Sequence, residues 1–132
     1  MAHDPQAIFA NLSEKERVLG HHSAEGRAIH TLSRALNGWS AGNLSAEDVI
    51  VLCDQAIEDW LKARLKVSQW SARPVTELLV NAVEIKLLTR LDAVRLQRLH
   101  NRRTGFDAVK LAAAEVETAL ADCIQIVDKH WS

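Results

Sequence analysis

A chain of 132 residues, 48% hydrophobic and 25% charged, is long enough for one domain with a sizeable core. Its 16 Lys and Arg against 17 Asp and Glu leave a net charge of −1, which excludes a uniformly basic nucleic-acid binder and a disordered polyelectrolyte. Abundant Ala and Leu, only 2 prolines and no tyrosine favour helix over sheet.

Residues 1–22 are weakly patterned, with Ile8, Phe9 and Leu12 as the apolar edge of a short helix. Residues 23–132 read as a single helical bundle. A first helix is predicted from Ala24 to Trp39, because Ala28, Ile29, Leu32, Ala35, Leu36 and Trp39 recur at three- and four-residue steps. Gly38 and Gly42 are poor helix interiors and are expected to end it. Ser45 then caps a second helix by accepting from the backbone of Asp48. Its stripe is Val49, Leu52, Cys53, Ala56, Ile57, Trp60, Leu61 and Leu65, with Asp54, Glu58, Asp59, Lys62 and Lys66 expected on the opposite, polar face.

Pro74 fits the first turn of a third helix carried by Val75, Leu78, Leu79, Ala82, Val83 and Leu87. A fourth helix is predicted from Arg90 to Arg102 with Leu91, Val94, Leu96 and Leu99 inward, ending at Thr104-Gly105. Asp107 is a suitable cap for a fifth, reaching His130, with Val109, Ala112, Ala113, Val116, Leu120, Cys123, Ile124 and Val127 inward. No strand alternation and no repeat is present. The fold expected is all-α, an antiparallel bundle of four to five helices.

No apolar run approaches the roughly 18 residues of a membrane span and no stretch reads as a secretory h-region, so a cytoplasmic protein without a membrane segment is expected. Cys53 and Cys123 lack metal or redox spacing and read as buried, reduced thiols. The His21-His22 pair has no Cys or acid nearby to complete a metal site, so neither metal nor cofactor is expected. No phosphate-binding glycine loop, nucleophile elbow or carboxylate pair appears. Trp39 and Trp60 fall on apolar stripes, whereas Trp70 and Trp131 are candidate partner anchors.

Charge is unevenly distributed. Lys86 to Arg103 holds 6 Lys or Arg against one acid, and Thr104 to Ser132 holds 2 Lys against 5 acids. The basic cluster lies in "RLQRLHNRRTGFD", residues 95–107, as Arg95, Arg98, His100, Asn101, Arg102 and Arg103. Three readings apply to it: a solvated helix end favoured by the helix dipole, a surface for RNA backbone or another anion, or a nuclease centre.

The order of the helices resembles the HEPN superfamily of small helical domains over roughly residues 25–130. Within "AEDVIVLCDQAIEDWLKARL", residues Ala56, Glu58, Leu61, Lys62, Ala63 and Leu65 resemble an AxExxLKAxL-like pattern. Within "LDAVRLQRLHNRR", the fourth helix resembles the one that carries RLxxLRN. The resemblance implies a homodimer and, in active members, a metal-independent ribonuclease. There an Arg holds phosphate and a His four to six residues later moves a proton. Other members are binding or scaffolding domains, or toxin-antitoxin components.

Two alignments carry the motif over. One takes Arg95 and His100, although Leu96 follows the Arg and roughly 140° of helix separates the pair. The other sets His100-Asn101 on the Arg-Asn pair and keeps Leu96 and Leu99 inward. The expected His then falls near Thr104, Gly105 or Phe106, none of which transfers a proton. On that favoured alignment the domain is a homodimeric binding or regulatory module, with RNA or a nucleotide-like anion held by Arg95, Arg98, His100, Asn101, Arg102 and Arg103. The alternatives are a ribonuclease using Arg95 or Arg102 with His100, and a protein-interaction module.

Overall fold

A computed structural model describes Glu14 and residues 24–68, 70–104 and 113–129. Among the described residues five helices form the bundle: α1 (Ala24–Ser40), α2 (Ala46–Arg64), α3 (Val75–Glu84), α4 (Arg90–Thr104) and α5 (Ala113–Lys129). No strand occurs among the described residues. The N-terminal edge at Ile8, Phe9 and Leu12 lies outside them, as do Phe106, Asp107, Val109, Ala112, His130 and Trp131.

Helix α2 packs against all four others and forms the centre of the bundle. It fills that place with Val49, Ile50, Cys53, Ala56, Ile57, Trp60 and Leu61, all buried. Around it close Ala28, Ile29, Leu32, Ala35 and Leu36 of α1 and Val116, Leu120, Cys123, Ile124 and Val127 of α5. The Trp60 ring is fully buried, and its indole N–H finds no acceptor among the described residues.

The helix ends are set by local chemistry. Ser45 Oγ accepts from the Asp48 N–H at 3.2 Å, and Asp48 Oδ2 accepts from the Ser45 N–H at 3.3 Å. This reciprocal capping box starts α2 as expected. Thr89 Oγ1 performs the same service for α4, accepting from the Asp92 N–H at 3.1 Å. The first three helices close on one device, a residue with positive φ that folds the next N–H back onto the last turn. In α1 that residue is Gly42, and Asn43 N–H bonds the Gly38 carbonyl at 2.8 Å. In α2 it is Lys66 (φ 58°), with Val67 N–H on the Lys62 carbonyl at 2.8 Å. In α3 it is Lys86 (φ 63°), with Leu87 N–H on the Ala82 carbonyl at 2.9 Å.

Several expectations are corrected. Gly38 does not end α1; it lies inside the helix, and a Cβ there would overlap the Leu44 side chain. Leu91 (59% exposed) and Val94 (53% exposed) of α4 face outward. The inward face is built on Asp92, Leu96 and Leu99, because the flank carrying Val94 is left uncovered. Ala113 is exposed, whereas Ile126 joins the buried stripe of α5. Asp54 and Lys62, assigned to a polar face of α2, are buried at 1% and 5% exposure. Because α2 is surrounded, it has no fully solvated face. Lys62 adapts by donating to Glu58 at 2.9 Å and to the Ser71 carbonyl of the α2–α3 connection at 3.1 Å.

Ion pairs mark the helix directions. Arg64 at the end of α2 meets Glu25 at the start of α1 at 3.9 Å. Lys129 at the end of α5 meets buried Asp92 at the start of α4 at 3.0 Å, and Arg102 at the end of α4 meets Glu115 at the start of α5. Both helix pairs are therefore antiparallel.

Candidate functional site

Two flanks of α4 carry the basic cluster, and they do different things. Helical spacing puts Arg95, Arg98 and Arg102 on one flank at i, i+3 and i+7. That flank meets α5. Between the two helices lies a cavity of about 350 Å³. Its floor is apolar, made by Ile50, Leu96, Leu99, Ala119 and Cys123, and the three arginines stand on its wall. Opposite them α5 presents Glu115, Thr118 and Asp122. Arg102 is engaged by Glu115. Arg95 and Arg98 lie near enough to Asp122 to pull its acidity back toward the ionised form. Burial is the stronger effect, and the Asp122 carboxyl sits above its ordinary value.

The other flank meets α2. There Asp54, with 1% of its side chain exposed, receives two partners from the last turns of α4. Arg103 donates to Asp54 Oδ2 at 2.8 Å, and His100 Nδ1 lies 3.1 and 3.2 Å from the two carboxylate oxygens. Since a carboxylate only accepts, Nδ1 carries the hydrogen. The pairing spans 46 residues of sequence for His100 and 49 for Arg103.

The six sequence-derived site residues thus separate. Arg95, Arg98 and Arg102 come together at the cavity. His100 and Arg103 turn to Asp54, so Arg95 and His100 do not share a face. Asn101 is exposed and its carbonyl accepts from Gln97 Nε2 at 2.9 Å, one turn back on the same helix. It lies within α4, which continues to Thr104, and does not terminate it. The cluster is also more than a solvated helix end, because Arg102 and Arg103 both have carboxylate partners.

Sequence reasoning missed Asp54, Asp92, Glu115 and Asp122. A signal existed for Asp54: Ile50, Asp54, Ile57 and Leu61 follow steps of four, three and four, the spacing of a buried stripe. Asp122 and Glu115 had none, since each reads as an ordinary polar position on α5.

Cys53 of α2 and Cys123 of α5 are both buried and unbridged, as expected for reduced thiols. Their side chains are hydrogen-bonded to one another, and that contact together with burial pushes the Cys123 thiol well above its ordinary value. Among the described residues no group of three His, Cys, Asp or Glu is placed to hold a metal ion, and no helix is long and apolar enough to cross a membrane. Trp70 is exposed in the α2–α3 connection.

Neither protein-family models, curated proteins nor solved structures give a match to this chain.

Proposed function

We propose that this chain is a HEPN-like binding or regulatory domain, homodimeric, whose α4–α5 cavity takes a phosphate-bearing ligand without cleaving it. The ligand class is RNA or a nucleotide-like anion. The observation that carries this reading is the wall of three arginines over an apolar floor. A guanidinium offers a planar fork of donors to phosphate oxygens, and the floor suits the flat apolar face of a base. Glu115 and Asp122 oppose a long polyanion but can accept hydrogen bonds from hydroxyl or amino groups of a small ligand. His100 points to Asp54 and away from Arg95, Arg98 and Arg102, which supports binding over proton transfer at the phosphate.

Binding of a 5′-mononucleotide and of a short single-stranded RNA, measured by calorimetry at several salt concentrations, tests this. The expected result is an affinity that falls with salt and drops by about tenfold in Arg98→Ala, the loss of one charge-assisted contact. A nucleotide that binds as tightly as RNA identifies a mononucleotide pocket; a steeper salt slope for RNA identifies a backbone surface. Affinity unchanged in Arg95→Ala and Arg98→Ala overturns the reading.

A ribonuclease remains the second reading, and Asp54 favours it. A carboxylate on Nδ1 holds an imidazole in the tautomer that proton transfer at Nε2 requires. RNA cleavage by the wild type that is lost in His100→Ala would establish it.

A further inference from the structure

The flank of α4 that faces α3 carries a groove unlike the arginine cavity. It is lined by Leu79, Val80, Val83, Ala93 and Val94, and it holds about 420 Å³. Val80 and Val94 are each 53% exposed on it. Isolated apolar side chains at a surface are ordinary; here two stand together over further apolar lining, between neighbouring helices. Polar groups stand only at the ends. Glu84 and Arg90 flank the end near the α3–α4 connection, and Thr76 and Gln97 flank the other. Glu84 and Arg90 make no ion pair among the described residues.

We propose that a second copy of this chain docks on the α3–α4 groove, packing Val80 of each copy against Val94 of the other and pairing Glu84 of each copy with Arg90 of the other. The proposal rests on the homodimer in the functional reading and assigns its surface. The rim is what selects this occupant. A twofold axis running along the α3–α4 hairpin sets α3 of one copy against α4 of the other. Glu84, in the last turn of α3, then meets Arg90, in the first turn of α4. At the opposite end Thr76 meets Gln97, a hydroxyl against an amide. Each end is therefore complementary to itself under one operation, with the apolar residues in the middle. A partner of single charge sign would leave one member of the Glu84–Arg90 pair opposed to a like charge. Docking here also leaves the arginine cavity, on the far flank of α4, open in both copies, so dimerisation and ligand binding are separable.

Sedimentation equilibrium and light scattering on the full chain test the proposal, with helicity measured by circular dichroism to verify folding. The wild type is expected to dimerise. Val80→Glu and Val94→Glu are expected to weaken the dimer at least about tenfold while the chain stays helical. Glu84→Arg and Arg90→Glu are each expected to weaken it, and the double variant to restore it, because the pair is exchanged across the axis. Val80→Glu is expected to keep its affinity for a mononucleotide. A dimer insensitive to all four changes overturns the groove while leaving the homodimer standing. A wild type that is monomeric at every concentration overturns both. Failure of the double variant to recover overturns the twofold pairing.

Discussion

Asp54 is the residue on which the basic cluster turns. A carboxylate this deeply buried is stable only with charge-assisted partners, and α4 supplies two from successive positions one turn apart. Asp54→Ala strands His100 and Arg103, both of which are partly open to solvent and can rehydrate. The expected loss is therefore moderate, about 2 kcal/mol in urea denaturation. Asp54→Asn should lose less, because the amide oxygen still accepts. Cys123 makes a second prediction at this scale. Its contact with Cys53 and its burial raise the folded thiol above its ordinary value of 9.0. The unfolded chain therefore releases that proton first. Stability from this group is present below the ordinary value and is lost as pH rises toward the folded one. Denaturation midpoints should fall above about pH 9, and Cys123→Ala should flatten that part of the profile. A thiol reagent at neutral pH should modify Cys53 and Cys123 only after unfolding.

Helix termini are the elements where sequence and structure can be compared most directly. Ser45 and Asp48 are three apart, and their capping box follows from that spacing alone; Ser45→Ala should cost about 1 kcal/mol. Lys66 and Lys86 are less expected. Both hold the left-handed conformation that the end of α1 fills with Gly42, at an energetic disadvantage for a residue with a Cβ. Lys66→Gly and Lys86→Gly should each stabilise the protein by about 1 kcal/mol, read as a raised urea midpoint at unchanged slope. The stop of α1 was visible as composition, whereas the third helix was expected to reach Leu87 and ends at Glu84. The geometry was not visible, because a lysine at such a position carries no local sign of positive φ.

At the scale of the whole molecule, the arginine cavity combines cations from one helix with acids from another. Asp122 opposes an incoming anion while it is ionised. Burial raises its pKa, with Arg95 and Arg98 only partly countering this, so it gains its proton at a higher pH than an ordinary aspartate. Affinity for a phosphodiester ligand, which does not itself titrate in that range, should therefore rise as pH falls through the raised value. Asp122→Asn should bind more tightly at neutral pH and should lose this pH dependence. The same protonation favours the folded state. A carboxyl whose folded pKa is raised contributes stability below its ordinary value of 3.8, and loses it as pH rises through the folded one.

What the sequence determined by itself was the all-α class, a bundle of four to five helices with close limits for α1 and α4, and most of the buried stripe on α1, α2, α3 and α5. Those features depend on residues three to seven apart, and periodicity and capping act over that distance. It also marked residues 95–103 as the place where charge concentrates. Tertiary structure decided how that charge is divided. Arg95, Arg98 and Arg102 were assigned to a cavity because α5 lies along one flank of α4. His100 and Arg103 were assigned to Asp54 because α2 lies along the other. Leu91 and Val94 were left outside for the same reason, since which face of a short helix is covered depends on neighbours far away in the chain. A pairing across 46 residues, such as His100 with Asp54, leaves no trace in local spacing. It exists only once the central helix has been surrounded and its carboxylate must find partners where no water reaches.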